Sequence, residues 1–135
     1  MRLLLVDDDA IDRELFVDAI KLVGTGYQIT EAGNGEEALD NLNGAPVLPH
    51  LIILDLNMPV KDGRMTLKEI KTHPVYKSLP VCIMSTSSSP FDIEHAYDNG
   101  ANLFLVKPLD FKHLIEMLAS LLNLFGKYVT LPLKA

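Results

Sequence analysis

Cysteine, positive charge and long apolar runs are all scarce in this 135-residue chain, and each scarcity removes a class of function. The lone Cys82 cannot close an intramolecular disulfide, which suits a reducing cytoplasm, and its place inside the run VCIM reads as a small core residue. Lys and Arg number 12 against 18 Asp and Glu, a formal net charge of -6. Binding to a nucleic-acid backbone usually needs a basic face, so no nucleic-acid partner is expected. The apolar start MRLLLV is broken by Asp7, Asp8 and Asp9, which makes it neither a signal peptide nor a membrane span. No other stretch approaches spanning length. Internal repeats, low-complexity segments and interdomain linkers are missing as well. What remains is one globular domain, 48% hydrophobic and able to bury a core, with no output domain expected beside it.

The apolar residues that are present come in short bursts. Residues 3–6, 51–54, 81–84 and 103–106 are unbroken apolar runs, and 27–32 is a shorter, partly alternating strand. Unbroken runs of four to eight residues bounded by turn signals read as strands buried on both faces. Between them the period becomes helical. After Asp9, a capping residue, Ile11, Leu15, Ala19 and Leu22 fall on one stripe with Phe16, Ile20 and Val23 beside it, and Gly24 and Gly26 punctuate the end. Asn34 caps a second helix with Glu37 three residues on, resembling a capping box. A third runs from about Arg64 to Thr72 before Pro74, and a fourth starts at Pro90 with Ser89 as cap. Asp110 caps the last, whose wide apolar face holds Phe111, Leu114, Ile115, Leu118, Leu121, Leu122 and Phe125. Five strands alternating with five helices predict an α/β, doubly wound parallel sheet with right-handed crossovers.

The chemistry lies at the carboxyl ends of the strands: Asp7 and Asp8 on the first, Asp55 on the third, Ser85 on the fourth and Lys107 on the fifth. Any one of these could be an ordinary solvated strand end. In a parallel sheet, however, all those ends share one edge, where ligands bind. Three clustered carboxylates would repel and raise one another's pKa values unless a positive charge intervened. Hard oxygen ligands suit Mg²⁺, which binds through one or two carboxylates plus a phosphate. A lysine supplies a point charge for a phosphoryl oxygen, and a serine hydroxyl a hydrogen-bond donor. The set describes an aspartate that accepts a phosphoryl group.

The motifs LLLVDDD, LDLNMPVKDG, PVCIMSTS and FLVKP stand in the order and spacing of the receiver domains of two-component response regulators, which the chain resembles from Leu3 to about Phe125. The resemblance implies a five-stranded flavodoxin-like receiver fold with strand order 2-1-3-4-5. It implies Asp55 as phosphoacceptor, Asp7 and Asp8 as an acidic pair, and the Asn57 main-chain carbonyl as a further Mg²⁺ ligand. Lys107 would contact the phosphoryl group, the Lys107-Pro108 peptide would be cis, and Ser85 and Phe104 would take the places of the switch hydroxyl and switch aromatic. Output would pass through the fourth helix, the fifth strand and the fifth helix. The domain would be a signalling module, not an enzyme, phosphorylated by a sensor histidine kinase in the cytoplasm. Thr86, where many receivers have alanine, is expected to slow attacking water and small phosphodonors.

Residues 126–135 extend beyond a receiver's needs. Their Val-Thr-Leu-Pro ending is similar to single-domain regulators paired with bacterial phytochromes, which implies a phytochrome-type kinase and a homodimer held by this arm. His50, His73, His95 and His113 lie away from the strand ends and are not expected to bind metal. Met58 and Met65 lie near the active edge, where gap-filling is the commoner use of methionine. One competing pattern exists. Residues 7–11 also resemble the first motif of haloacid-dehalogenase-like phosphatases, with Asp7 as nucleophile and Asp9 as general acid. Those enzymes need a further acidic pair after the lysine, and only Asp110 and Glu116 follow Lys107.

Overall fold

The computed structural model describes residues 1–132. Residues 133–135, the end of the expected arm with Leu133, lie outside the described residues. The apolar bursts form strands β1 (Arg2–Val6), β2 (Gln28–Ala32), β3 (Leu51–Leu54), β4 (Val81–Ser85) and β5 (Leu103–Val106). The helices are α1 (Ala10–Val23), α2 (Gly35–Gly44), α3 (Gly63–Thr72), α4 (Pro90–Asp98) and α5 (Phe111–Asn123), with one short 3₁₀ turn, Tyr76–Ser78, that no motif announces. All strand pairs are parallel in the order β2-β1-β3-β4-β5, the flavodoxin-like arrangement expected. Four helices start on their expected caps, and α3 starts at Gly63 on Asp62, which accepts from the Met65 N–H. Asp9 accepts from the Ile11 and Asp12 N–H groups, Asn34 from Glu37, Ser89 from Asp92 and Asp110 from His113. Glu37 reaches back to the Gly33 N–H, one residue before the cap, at 3.1 Å.

Strand alternation divides the core. Leu4, Val6, Ile52, Leu54, Val81 and Ile83 pack against α2, α3 and α4, while Leu3, Leu5, Leu51, Ile53, Cys82 and Met84 pack against α1 and α5. Every residue of β3 is buried, as a central strand covered on both faces requires. Burying each such Leu or Ile contributes roughly 1.5–3 kcal/mol. On α1 the expected stripe is corrected. Ile11, Leu15 and Leu22 are 69%, 42% and 66% exposed, whereas Phe16, Ala19 and Ile20 form the buried stripe. Both stripes satisfy helical periodicity, and packing against α5 selects the one that puts the larger Phe16 inside. After α5 the chain makes one wider turn, Leu124–Tyr128. Leu131 and Pro132 then line a cavity with Leu48, Pro49 and Pro80, at the edge of the sheet opposite the acidic strand ends. No helix among the described residues is long and apolar enough to cross a membrane.

Candidate functional site

Because β1 and β3 are adjacent in register, Val6 opposite Leu54, the residues that follow them leave the sheet side by side. The Asp55 N–H still donates to the Val6 carbonyl at 3.0 Å, extending the ladder by one rung and holding the acid at the strand end. Asp7 and Asp55 are buried and Asp8 is exposed, and carboxylate oxygens of all three lie within 4.8 Å of one another. Lys107, 100 residues from Asp7 in sequence, donates from Nζ to Asp7 Oδ2 at 2.8 Å. The same ammonium stands 3.6 Å from Asp55 Oδ2 and 3.6 Å from Asp12 Oδ2. Its backbone is set by β5, where the Lys107 N–H donates to the Ser85 carbonyl at 2.7 Å. The structure thus brings Asp7, Asp8, Asp55, Ser85 and Lys107 to one edge.

The charges at this edge are unbalanced. Burial pushes the Asp55 carboxyl above its ordinary value and the Asp7 and Asp8 charges add to the rise, while Lys107 and the Asn57 backbone N–H oppose it. Burial by itself would pull the Lys107 ammonium down. Its hydrogen bond to Asp7 and the charges of Asp55, Asp7 and Asp12 outweigh that and leave it raised, so it stays charged. One ammonium among clustered carboxylates leaves net negative charge in a partly desolvated pocket. Hard carboxylate oxygens of this kind fit a divalent cation such as Mg²⁺. Asp7 already accepts from Lys107 through Oδ2 and from the Asp9 N–H through Oδ1 at 3.0 Å, so Asp8 and Asp55 hold more of the uncommitted oxygen capacity.

The loop after Asp55 is held by close backbone approaches. A Cβ on Gly63 would stand 2.0 Å from the Asp55 carbonyl oxygen, and the Gly63 N–H donates to the Leu56 carbonyl at 2.8 Å. A Cβ on Gly35 would stand 1.8 Å from Thr66 Oγ1, and the Gly35 N–H donates to the Lys61 carbonyl at 3.1 Å. A Cβ at either position forces its neighbours to shift. The loop folds back because Val60 adopts φ +67°, a left-handed conformation that β-branched residues rarely enter. Asn57 and Arg64 face each other across this loop, Arg64 Nη1 lying 3.4 Å from Asn57 Oδ1. Arg64 also pairs with Asp92 on α4 through Nη2 at 2.9 Å. These contacts went unseen in the sequence, although a cation in the first turn of a helix, against the dipole, was a signal that could have marked Arg64.

Ser85 is fully buried at the end of β4, and its Oγ accepts from the Ser87 N–H at 3.1 Å. Thr86 is exposed beside it. Phe104 is half-buried against the core of the α4 side, its N–H donating to the Tyr97 hydroxyl at 3.0 Å. One expectation is corrected: no described peptide bond is cis, so Lys107-Pro108 is trans. The trans form of such a bond is favoured by about 0.5–1 kcal/mol, and Lys107 reaches Asp7 with it in place. Asp9 is committed to capping α1, and Asp110 to capping α5. His50, His73, His95 and His113 belong to no metal-capable cluster among the described residues. Met58 is buried in the core, while Met65 is 55% exposed.

Comparison with known proteins agrees with this geometry. The family model of the response regulator receiver domain matches residues 3–119. Response regulator Rcp1 of Synechocystis sp. is 33% identical over 136 residues, spanning 96% of this chain and 92% of that protein. The crystal structure of the phosphorylated cyanobacterial phytochrome response regulator RcpA superposes with a TM-score of 0.90 at 32% identity, covering 98% of each chain. The Mn²⁺-bound form of response regulator Rcp1 superposes with a TM-score of 0.87 at 32% identity, over 98% of this chain and 99% of that one.

Proposed function

The chain belongs to the response regulator receiver domain family, and on that premise we propose that it carries a signal by accepting a phosphoryl group on Asp55 from a sensor histidine kinase. The reaction is an in-line displacement. An Asp55 carboxylate oxygen attacks phosphorus on the kinase's phosphohistidine, a P–O bond forms as the P–N bond breaks, and the imidazole nitrogen leaves and takes up a proton. The observation that carries this reading is Lys107 Nζ, 2.8 Å from Asp7 and 3.6 Å from Asp55, a fixed cation beside the attacking carboxylate. Asp7, Asp8, Asp55 and the Asn57 main-chain carbonyl would hold Mg²⁺, which when bound neutralises charge on the phosphoryl oxygens. Ser85 donates its hydroxyl to the phosphoryl group, and Phe104 repacks as Ser85 moves, biasing a two-state equilibrium read by a downstream protein on α4, β5 and α5.

Two relatives support a finer assignment. RcpA is a phytochrome response regulator and Rcp1 matches along nearly its whole length, which favours a phytochrome-type kinase as the phosphodonor. The protein works in the cytoplasm as a signalling module without nucleic-acid contact. Residues 1–125 are the receiver and 126–135 an arm that joins two copies, with Val129 and Leu131 supplying apolar contact. Deleting residues 127–135 is expected to convert a dimer to a monomer on a sizing column. Incubation with acetyl phosphate and Mg²⁺, followed by borohydride reduction and peptide mapping, tests the acceptor. Label on Asp55, lost in Asp55→Asn and in EDTA, is the expected result. Label on Asp7 overturns the assignment, and no label at all overturns the function.

A further inference from the structure

Four side chains, Asn57, Arg64, Asp92 and Ser87, form one connected polar chain beside the site that ends on Ser85. It begins at Asn57 in the loop after Asp55, whose Oδ1 lies 3.4 Å from Arg64 Nη1. Arg64 Nη2 donates to Asp92 Oδ1 at 2.9 Å, joining the first turn of α3 to the first turn of α4. The other carboxylate oxygen, Asp92 Oδ2, accepts from the Ser87 hydroxyl at 2.7 Å. Ser87 Oγ in turn accepts from the Ser89 N–H, the cap of α4, at 3.2 Å. The chain ends where the Ser87 N–H donates to Ser85 Oγ at 3.1 Å. The Arg64 and Asp92 side chains are only 29% and 16% exposed, so their pairing is less screened than that of surface ions.

Two features argue that this is more than a surface ion pair. Arg64 occupies the first turn of α3, where the helix dipole disfavours a cation; Asp92 and, at 4.0 Å, Asp62 are what hold it there. Both Asp92 oxygens are used, and the guanidinium and the Ser87 hydroxyl hold its carboxyl below the usual carboxylate range. The network also ends on the one hydroxyl that must move. Ser85 Oγ is tied to the Ser87 N–H at 3.1 Å, and Ser87 is tied in turn to Asp92 and hence to Arg64, so movement of Ser85 toward a phosphoryl group on Asp55 pulls against that tie.

We propose that Arg64 and Asp92 are positioning residues that brace the β4–α4 loop against the loop after Asp55 and hold Ser85 in its unphosphorylated arrangement. The inference rests on Asp55 being the phosphoacceptor. A state that draws Ser85 toward Asp55 pulls on the Ser87 N–H, and through Ser87 on its hydroxyl bond to Asp92 and the Arg64 pair. The brace therefore lowers the affinity of the site for a phosphoryl group and keeps the domain off without signal.

The test is a double-mutant cycle with Arg64→Met, which keeps the aliphatic stem, Asp92→Asn, which keeps a carbonyl acceptor for Ser87, and the double variant. The probe is beryllofluoride, a non-hydrolysable stand-in for an aspartyl phosphate, titrated in the full chain at saturating Mg²⁺ and followed by the NMR signals of the Ser85 and Ser87 amides. Each single variant is expected to bind about threefold to fivefold more tightly than the unaltered protein, the shift that losing one partly buried ion pair permits. The double variant is expected to match the singles, because all three remove the same bond. Thermal unfolding of the same samples separates this from general loosening, which would weaken binding. Unchanged or weaker binding in the singles, or additive effects in the double, overturns the brace while leaving Asp55 chemistry standing. Failure of the unaltered protein to bind beryllofluoride at all overturns the function and the brace together.

Discussion

Replacing Gly63 by alanine puts one methyl group into the main chain that carries Asp55. The new Cβ would stand 2.0 Å from the Asp55 carbonyl oxygen and 2.6 Å from the Leu56 Cα, where ordinary contact begins at 3.4 Å. Neither neighbour is a flexible side-chain end, so the start of α3 and the end of β3 must part by roughly 1.4 Å to restore contact distance. That separation breaks the Gly63 N–H bond to the Leu56 carbonyl, now 2.8 Å. Overpacking of this kind costs about 1–3 kcal/mol, and the lost hydrogen bond about 1 kcal/mol more. For a domain of this size the total lowers Tm by roughly 6–12 °C. A displacement above 1 Å at a reacting group costs on the order of 100-fold in rate. Phosphorylation by acetyl phosphate with Mg²⁺, followed by intact mass, and thermal unfolding by circular dichroism read both effects. Gly44→Ala is the control. A Cβ there meets nothing within 4 Å, and alanine in the last turn of α2 should stabilise by about 0.4–1 kcal/mol with an unchanged rate. A Gly63→Ala protein that melts with the parent and is phosphorylated at the parent rate refutes the close-approach reasoning.

Val60→Asn should raise Tm by about 3–6 °C, because a non-glycine residue at φ +67° is strained by roughly 1–2 kcal/mol, asparagine tolerates that region and the side chain is 76% exposed; an unchanged Tm would show the loop to be unstrained. Lys107→Met leaves Asp7, with 3% of its side chain exposed, without its cation, and metal-free protein should lose about 3 kcal/mol. Millimolar Mg²⁺ should then raise the variant's Tm more than the parent's, and equal shifts would argue that Lys107 and the metal ligands are independent. The Asp55 carboxyl has a folded pKa raised above 3.8, so its protonation contributes stability that is complete below 3.8 and lost as pH rises through the folded value. In urea titrations of metal-free protein Asp55→Asn should lack that loss, and parallel pH profiles for the two proteins would count against it. His50 is the opposite case. Burial and the nearby Arg2 and N-terminal charges lower its pKa from 6.5, and its Nδ1 accepts from the Arg2 N–H at 2.9 Å. Its contribution is complete above 6.5 and lost as pH falls through the lowered value, so an NMR titration midpoint at or above 6.5 would contradict it.

Much of the fold was legible residue by residue because the signals are local. Unbroken apolar runs at residues 3–6, 51–54 and 81–84 can only be strands covered on both sides, and the caps Asp9, Asn34, Ser89 and Asp110 each satisfy N–H groups within three residues. Parallel pairing then places Asp7, Asp8, Asp55, Ser85 and Lys107 at one edge without any knowledge of side-chain packing. Helix rotation was not legible. The two stripes of α1 are equally periodic, and only the shape of the facing α5 surface separates Phe16 and Ile20 from Ile11 and Leu15.

The amino-acid sequence by itself determined the alternation of strands and helices, the edge that gathers the acids, and the kind of chemistry those groups support, since each follows from periodicity, capping and charge within a few residues. Only the tertiary structure decided the rest. Lys107 reaches Asp7 across 100 positions with a trans bond to Pro108. Gly63 and Gly35 face groups that approach through space and that a Cβ would force to shift. Arg64 finds Asp92, 28 residues away on another helix, and through Ser87 touches the hydroxyl at the end of β4. The physical reason is common to all of these: close contacts between distant segments depend on how whole elements pack, and packing is a property of surfaces that no single stretch contains.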